Sequence, residues 1–444
     1  MKIQPAKSVN GTINLPGDKS ISHRAVILAA MVTGETRIEN FATGADCAST
    51  LRCLENLGVE IRRANTTVFI KGVGKTGFQK SSKDLDCGNS GTTLRLLAGV
   101  LAGQNFDSIL TGDDSLKKRP MRRVIEPLTQ MGAQIESSNG CAPLKIYGKN
   151  SLRAIFYEMP IPSAQVKSCV LLAGLNASGK TVVVEKSKNG FGFANTRDHT
   201  ERMLGWLGAK IETESDAKNF TRTISIESGV EFSARDIKIP GDISSAAFFL
   251  AAAACLSGSY LTIKNVGLNF TRTDFLDVLR EFTSAIEIKN EREVCGETVG
   301  DIKTRGAAVS NDFGFTLNPD LVPSMIDELP ILAILGTQIW TSLEVRGAQE
   351  LRVKEADRIK AIVENLKKMN ACVEEFADGF RVEKSDLKGA KINSFGDHRI
   401  AMAFSVAALF ATGETEIIDA DCVNVSFPEF FQTLNLITKT EKRP

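Results

Sequence analysis

Apolar positions along the chain form a pattern that returns six times. Each copy opens with a turn rich in Gly, Pro, Ser, Asn or Asp, continues as a run of small apolar residues, and reaches a Gly that introduces a β-branched strand. The runs are LPGDKSISHRAVILAA, CGNSGTTLRLLAG, IPSAQVKSCVLLAGL, IPGDISSAAFFLAAAA, VPSMIDELPILAILG and FGDHRIAMAFSVAALFATG, and the strands follow from Gly34, Gly103, Gly179, Gly258, Gly336 and Gly413. A helix apolar on nearly every face must lie inside a fold, and the residues before it suit turns and N-caps. Six buried helices are therefore predicted.

Amphipathic helices follow the strands. In VKEADRIKAIVENLKKMN, Ile359, Ile362, Val363, Leu366 and Met369 form a core-facing stripe at helical spacing. The unit recurs at intervals of roughly 70 to 80 residues, longer than the common solenoid periods. No G-x-G-x-x-G follows a first strand, so a dinucleotide fold is not indicated. The pattern predicts an α/β protein of two pseudo-symmetric domains with three copies each, because 444 residues exceed what one core encloses. LPGD at Leu15 to Asp18 matches IPGD at Ile239 to Asp242. Their equivalent places predict crossings at both, giving one discontinuous domain of 1–18 with 240–444, an inserted domain of 19–239, and hinges near 15–20 and 236–242.

Composition narrows the function classes. With 54 basic against 53 acidic residues, no global charge draws the chain to nucleic acid or an anionic membrane. The longest apolar runs fall short of the roughly 20 residues that span a bilayer. The N-terminus lacks a signal peptide's apolar core, and nine scattered cysteines form neither a C-x-x-C nor a zinc spacing, so a reducing, cytoplasmic setting is expected. His23, His199 and His398 have no second ligand at metal spacing, and no bound metal is expected. GVGKTG at Gly72 to Gly77 lacks the first Gly of a phosphate loop and reads as a hairpin turn.

The placement of cations carries the functional information. A cation near a helix N-terminus opposes the macrodipole at a cost of a few tenths to about 1 kcal/mol. Yet Lys19 and Arg24 open the first buried helix, Arg95 follows GNSGTT, Lys167 follows PSAQ, Lys354 and Arg358 open another helix, and Arg399 opens the last buried one. Anionic ligands would resolve the conflict, and Gly88 to Gly91 has the small residues that let a phosphate approach backbone N–H groups. Glu355 extends the apolar stripe one turn toward the N-terminus, which places it partly buried beside Arg358 and fit for proton transfer, or else as an ion pair closing the helix. Asp327 and Glu328 interrupt an apolar segment; as consecutive helical residues they would point about 100° apart and need not share a site.

The ordered set LPGDKSISHR, GNSGTTLRLLAG, SLKKRPMRR, PSAQVKS, TRDHTERML, PSMIDELP, LRVKEADR and FGDHRIAM resembles the enolpyruvyl transferase superfamily along almost the whole chain, and in particular its shikimate branch. The resemblance implies a two-domain fold of six βαβαββ repeats with substrates in the interdomain cleft. It also implies transfer of the enolpyruvyl group of phosphoenolpyruvate to shikimate 3-phosphate by a monomer, with no cofactor or metal, at a site that glyphosate inhibits. By motif, Lys19, Ser20, Arg24, Ser163, Ala164, Gln165, Arg197, Asp327 and Lys354 correspond to shikimate 3-phosphate contacts. Lys19, Gly91, Arg119, Gln165, Arg358 and Arg399 correspond to phosphoenolpyruvate contacts, and guanidinium groups suit both anions through paired hydrogen bonds. The implied chemistry gives Glu355 the methylene proton and Asp327 the hydroxyl proton, with Lys19 assisting.

Two departures divide the family. One branch carries a Lys near the position of Val425 and a Tyr where TRDHTE supplies Arg197, and this chain resembles the other branch at both. The sister transferase acting on UDP-N-acetylglucosamine has Asn where Ser20 stands here. A non-catalytic phosphate-ligand binder on the same fold is a third reading, against which the joint presence of Lys19, Asp327 and Glu355 argues.

Overall fold

The computed structural model describes residues 1–148, 151–187, 196–282, 286–306, 313–338 and 341–440. The chain divides into two compact units, Gly17–Ile239 with Val294–Glu297, and Met1–Pro16 with Pro240–Glu293 and Thr298–Pro444. The first division falls between Pro16 and Gly17, two residues before the expected 18/19, and the short segment 294–297 goes with the first of these units rather than the second. Gly17 has a local reason: a Cβ there would stand 1.7 Å from the Asn40 carbonyl oxygen, so only glycine fits.

In the unit of Gly17–Ile239, three of the six apolar runs form the helices Lys19–Met31, Gly91–Leu101 and Ala164–Gly174. Their side chains belong to one hydrophobic core that includes Ile27, Leu97 and Leu171. Asp18 caps the first helix by accepting from the Ile21 N–H, and Ser90 caps the second by accepting from the Thr93 N–H. The second and third helices touch through Gly99, where an added Cβ would lie 2.3 Å from the Cys169 carbonyl oxygen. That contact fixes how the first turns of these two helices face each other.

Beside a two-stranded pairing of Leu152–Arg153 with Ala177–Ser178, three sheets of this unit have four strands in one arrangement. Leu85–Asp86 pairs parallel with Ser108–Thr111, which pairs antiparallel with Cys141–Tyr147, which pairs antiparallel with Gln134–Ser138. In chain order this is βαβαββ. Phe156–Glu158, Thr181–Lys186, Thr221–Ile226 and Ile211–Asp216 repeat it. In the remaining sheet the first strand is Ile237–Lys238, parallel to Thr33–Glu39, so the end of the unit completes its beginning. GVGKTG begins at the end of the strand Thr67–Val73 and continues as the turn leaving it, not as a turn joining two paired strands.

The other unit has its own core, built around the helices Ile243–Cys255, Leu329–Gly336 and His398–Phe410. Phe315–Thr316, Ser342–Val345, Gly379–Glu383 and Val373–Phe376 form the same four-stranded arrangement. The expected strand from Gly336 runs through residues 339–340, which lie outside the described residues. Ala6–Asn14 lies parallel to Tyr260–Gly267 in a five-stranded sheet. The last copy is shortened: Lys391–Asn393 and Thr415–Ile418 pair parallel, and Lys2–Ile3 supplies the third strand. No helix among the described residues is long and apolar enough to cross a membrane.

Candidate active site

In the unit of Gly17–Ile239 the expected residues gather at the first turns of the three core helices. Gln165, in the first turn of Ala164–Gly174, accepts at Oε1 from Arg95 Nη1 at 2.6 Å and donates from Nε2 to Thr92 Oγ1 at 2.9 Å. Arg95 also donates to the Pro120 carbonyl at 3.3 Å, beside Arg119. Arg119 is itself buried and donates to Asn89 Oδ1 at 2.6 Å and Ser115 Oγ at 3.2 Å. Gly91 lies against both guanidiniums: a Cβ there would be 2.7 Å from Arg95 Nη1 and 3.6 Å from Arg119 Nη1. One helix start is thus lined by two guanidiniums and a backbone with no side chain in the way, a receptor for an anion.

A second group links the helices Lys19–Met31 and Ala164–Gly174. Arg197 donates to Ser20 Oγ at 3.0 Å. Arg24 is buried and uses all three guanidinium nitrogens, donating to Thr200 Oγ1 at 2.8 Å, Ser168 Oγ at 2.8 Å and the Ser20 carbonyl at 3.0 Å. Ser163 occupies the N-cap position of Ala164–Gly174 without a side-chain cap bond. Lys19 forms an ion pair with the buried Asp46 at 3.1 Å.

In the other unit a single guanidinium organises the remaining residues. Arg358 is buried, with Nε 2.7 Å from Asp397 Oδ2, Nη2 2.6 Å from Glu355 Oε2 and Nη1 3.3 Å from Asp327 Oδ1. Burial works against the charge, but Asp397, Glu355 and Asp327 outweigh it and raise the pKa of Arg358 above its ordinary value. Arg399 approaches Asp327 as well, with Nε 3.4 Å from Oδ1 and Nη1 donating to the Asp327 carbonyl at 3.2 Å. Lys354 keeps part of its surface accessible, yet the protein packed around its ammonium, more than the opposing pull of Asp327, lowers its pKa to about 8. Two half-buried carboxylates therefore stand within reach of two cationic side chains.

Several sequence expectations change. Lys354 and Glu355 do not begin a helix: the helix is Arg358–Lys368, capped by Asp357, and Lys354 follows a 3-10 turn over Gln349–Val353. Glu355 still lies beside Arg358, held by the ion pair rather than by helical register. Asp327 sits in the turn between Val322–Met325 and Leu329–Gly336, while Glu328 is buried and accepts from Ser244 Oγ, so the neighbouring carboxylates serve different places. Lys167 does not face a ligand but is fully buried among Glu185 and Glu201. Part of the charge conflict at the helix starts is answered by Asp18, Asp357 and Asp397, each an N-cap carboxylate beside the cation that follows it. Val425 ends the 3-10 turn Ala420–Val425, which packs against His398–Phe410.

Sequence reasoning missed Asp46 and Asp397, and gave Asn89 only as part of the loop Gly88 to Gly91, not as a partner of Arg119. Asp397 had a signal, an Asp immediately before a buried helix that opens with HR, which marks an N-cap. Asp46 had none, since nothing local ties it to a lysine 27 residues earlier.

These residues can be set beside known proteins. The sequence model of the family described as EPSP synthase (3-phosphoshikimate 1-carboxyvinyltransferase) matches residues 3–434. A 3-phosphoshikimate 1-carboxyvinyltransferase of Koribacter versatilis is 48% identical over 441 residues, covering 99% of this chain and 99% of that protein. One of Thermoanaerobacter sp. (strain X514) is 45% identical over 439 residues, covering 98% and 100%. The solved EPSP synthase of Acinetobacter baumannii superposes with a TM-score of 0.84 at 40% identity, covering 99% of this chain and 98% of that one. With the motif residues in place on the fold those motifs imply, the chain belongs to the EPSP synthase family.

Proposed function

We propose that this protein transfers the enolpyruvyl group of phosphoenolpyruvate to the 5-hydroxyl of shikimate 3-phosphate and releases phosphate. The observation that carries this reading is the arrangement around Arg358, where Glu355 and Asp327 stand at 2.6 and 3.3 Å from one guanidinium and Arg399 joins Asp327. A general acid and a general base beside an anion receptor are what addition and elimination on an enol phosphate require.

In the first step the 5-hydroxyl oxygen bonds to the enol carbon, Asp327 with Lys19 takes the hydroxyl proton, and Glu355 gives a proton to the methylene, which becomes a methyl group. In the second step the carbon–oxygen bond to phosphate breaks, the methyl group returns a proton to Glu355, and the released phosphate carries away the proton first taken from the hydroxyl. Positioned acid–base groups of this kind contribute roughly 10²- to 10⁴-fold each. Arg119, Arg358, Arg399, Lys19, Gln165 and the backbone at Gly91 hold phosphoenolpyruvate. Ser20, Arg24, Ser163, Ala164, Gln165, Arg197 and Lys354 hold shikimate 3-phosphate, with Lys19 and Asp327 also contacting it. No step calls on a metal or cofactor.

The enzyme works in the cytoplasm, a reading supported by its free cysteines, and as a monomer, a reading that rests on the family resemblance and is checked by its mass in solution. The activity itself is tested by phosphate release. The purified protein should release phosphate with both substrates together and none with phosphoenolpyruvate alone. Equal release without shikimate 3-phosphate would mark a phosphatase instead.

A further inference from the structure

We propose that Lys167 is a positioning residue for Arg197, anchoring the turn that presents Arg197 to the helix that bears Ser163, Ala164 and Gln165. This rests on the assignment of Arg197 to shikimate 3-phosphate.

Lys167 lies one turn into Ala164–Gly174 and is fully buried. Its Nζ stands 2.7 Å from Glu201 Oε1 in the helix His199–Trp206 and 3.3 Å from Glu185 Oε2 in the strand Thr181–Lys186. It also donates to the Thr196 carbonyl at 3.4 Å, and Thr196 Oγ1 donates to Glu185 Oε1. Thr196 is the residue before Arg197. The residue after it, Asp198, is held by Arg202 at 2.9 Å and Arg222 at 3.5 Å. Both neighbours of Arg197 are therefore held by charged side chains, Thr196 through hydrogen bonds and Asp198 through ion pairs, while the half-buried side chain of Arg197 itself reaches Ser20.

Stability alone does not account for this cluster. Burial costs charged groups heavily, and a packed apolar side chain of similar volume in place of such a cluster is often neutral or stabilising. What an apolar residue cannot do is hold the Thr196 carbonyl. Burial favours a neutral lysine, but Glu185 and Glu201 outweigh it and hold the pKa of Lys167 above its ordinary value, so the anchor stays charged. The cation that the sequence placed at a ligand-facing helix start thus acts one layer behind it, through the backbone of the residue next to a ligand-binding arginine.

The test compares Lys167→Met, Arg197→Ala and the double variant by steady-state kinetics. Lys167→Met should raise KM for shikimate 3-phosphate about tenfold, the equivalent of about 1.4 kcal/mol, and leave kcat and KM for phosphoenolpyruvate within about threefold. In the Arg197→Ala background the same change should alter KM less than about twofold, because its route of action is gone. An unchanged KM in folded Lys167→Met, or an equal rise in both backgrounds, overturns the inference. Should Lys167→Met not fold, Glu185→Gln weakens the hold on the Lys167 ammonium as well as on the Thr196 hydroxyl and should give a smaller rise of about threefold with the same selectivity; no rise would overturn it equally. If the unaltered enzyme releases no phosphate, the functional reading has failed. Calorimetric binding of shikimate 3-phosphate to the same variants then decides the positioning role, and no binding to the unaltered protein removes its basis.

Discussion

Replacement of Gly91 by Ala perturbs the anion receptor by a known amount. The new Cβ would lie 2.7 Å from Arg95 Nη1, about 0.7 Å inside the ordinary contact limit of 3.4 Å, whereas Arg119 Nη1 at 3.6 Å is not crowded. Arg95 is buried and tied to Gln165 Oε1 at 2.6 Å and to the Pro120 carbonyl, so it cannot swing into solvent. A retreat of that size stretches the bond to Gln165 or shifts the backbone next to Arg119. Hydrogen bonds to charged groups contribute about 1.5–3 kcal/mol. Loss of about half that value predicts a rise of roughly 3- to 12-fold in KM for phosphoenolpyruvate. Stability should hardly change, since Ala in place of helical Gly contributes about 0.5–1 kcal/mol and offsets the crowding. The assay is initial-rate phosphate release with phosphoenolpyruvate varied, in Gly91→Ala, Arg95→Ala and the double variant. If crowding acts through Arg95, the Gly91 substitution has little further effect once Arg95 is Ala. The same rise in both backgrounds, or none in either, refutes the reasoning.

Lys354, with its pKa lowered to about 8, should lose its ammonium as pH rises past that value, so KM for shikimate 3-phosphate climbs above pH 8 and Lys354→Met abolishes that arm of the profile. Stability runs the other way. The unfolded chain holds this proton up to its ordinary pKa of 10.5, so the penalty of burying the ammonium, full below about pH 8, is relieved between there and 10.5. Asp397→Asn keeps a good N-cap but removes the charge facing Arg358 Nε. It should destabilise the fold by about 1–3 kcal/mol and weaken phosphoenolpyruvate binding at least tenfold, read by denaturant melts and kinetics. Asp327→Asn should cost at least about 100-fold in kcat with a near-normal melting temperature, while Glu328→Gln, buried against Ser244, should do the reverse. Equal loss of kcat in both variants would remove Asp327 from its assigned role.

The six buried helices could be read from the sequence because solvent-free helices must be apolar all round, and small residues such as Gly99 mark where two of them touch. The same uniformity hid the direction of their cations. On a helix with no polar face, Lys167 could point at a ligand or into the fold, and only packing decides that it meets Glu185 and Glu201. Glu355 was placed beside Arg358 correctly for a different reason than the observed one: spacing implied a helical turn, and the ion pair holds it from a loop. Asp46 is brought to Lys19 by the packing of two helices, a contact with no local signature.

The direct test of the account is the fate of solvent hydrogen during turnover. Run in D₂O with shikimate 3-phosphate and phosphoenolpyruvate, the enzyme should release phosphate and place deuterium in the vinyl CH₂ of the product, because the methylene passes through a methyl group. Glu355→Gln should still bind both substrates but lose most of both signals. Rapid product formation without deuterium would contradict addition and elimination, and full deuterium incorporation at normal rate by Glu355→Gln would contradict the assignment of that proton to Glu355.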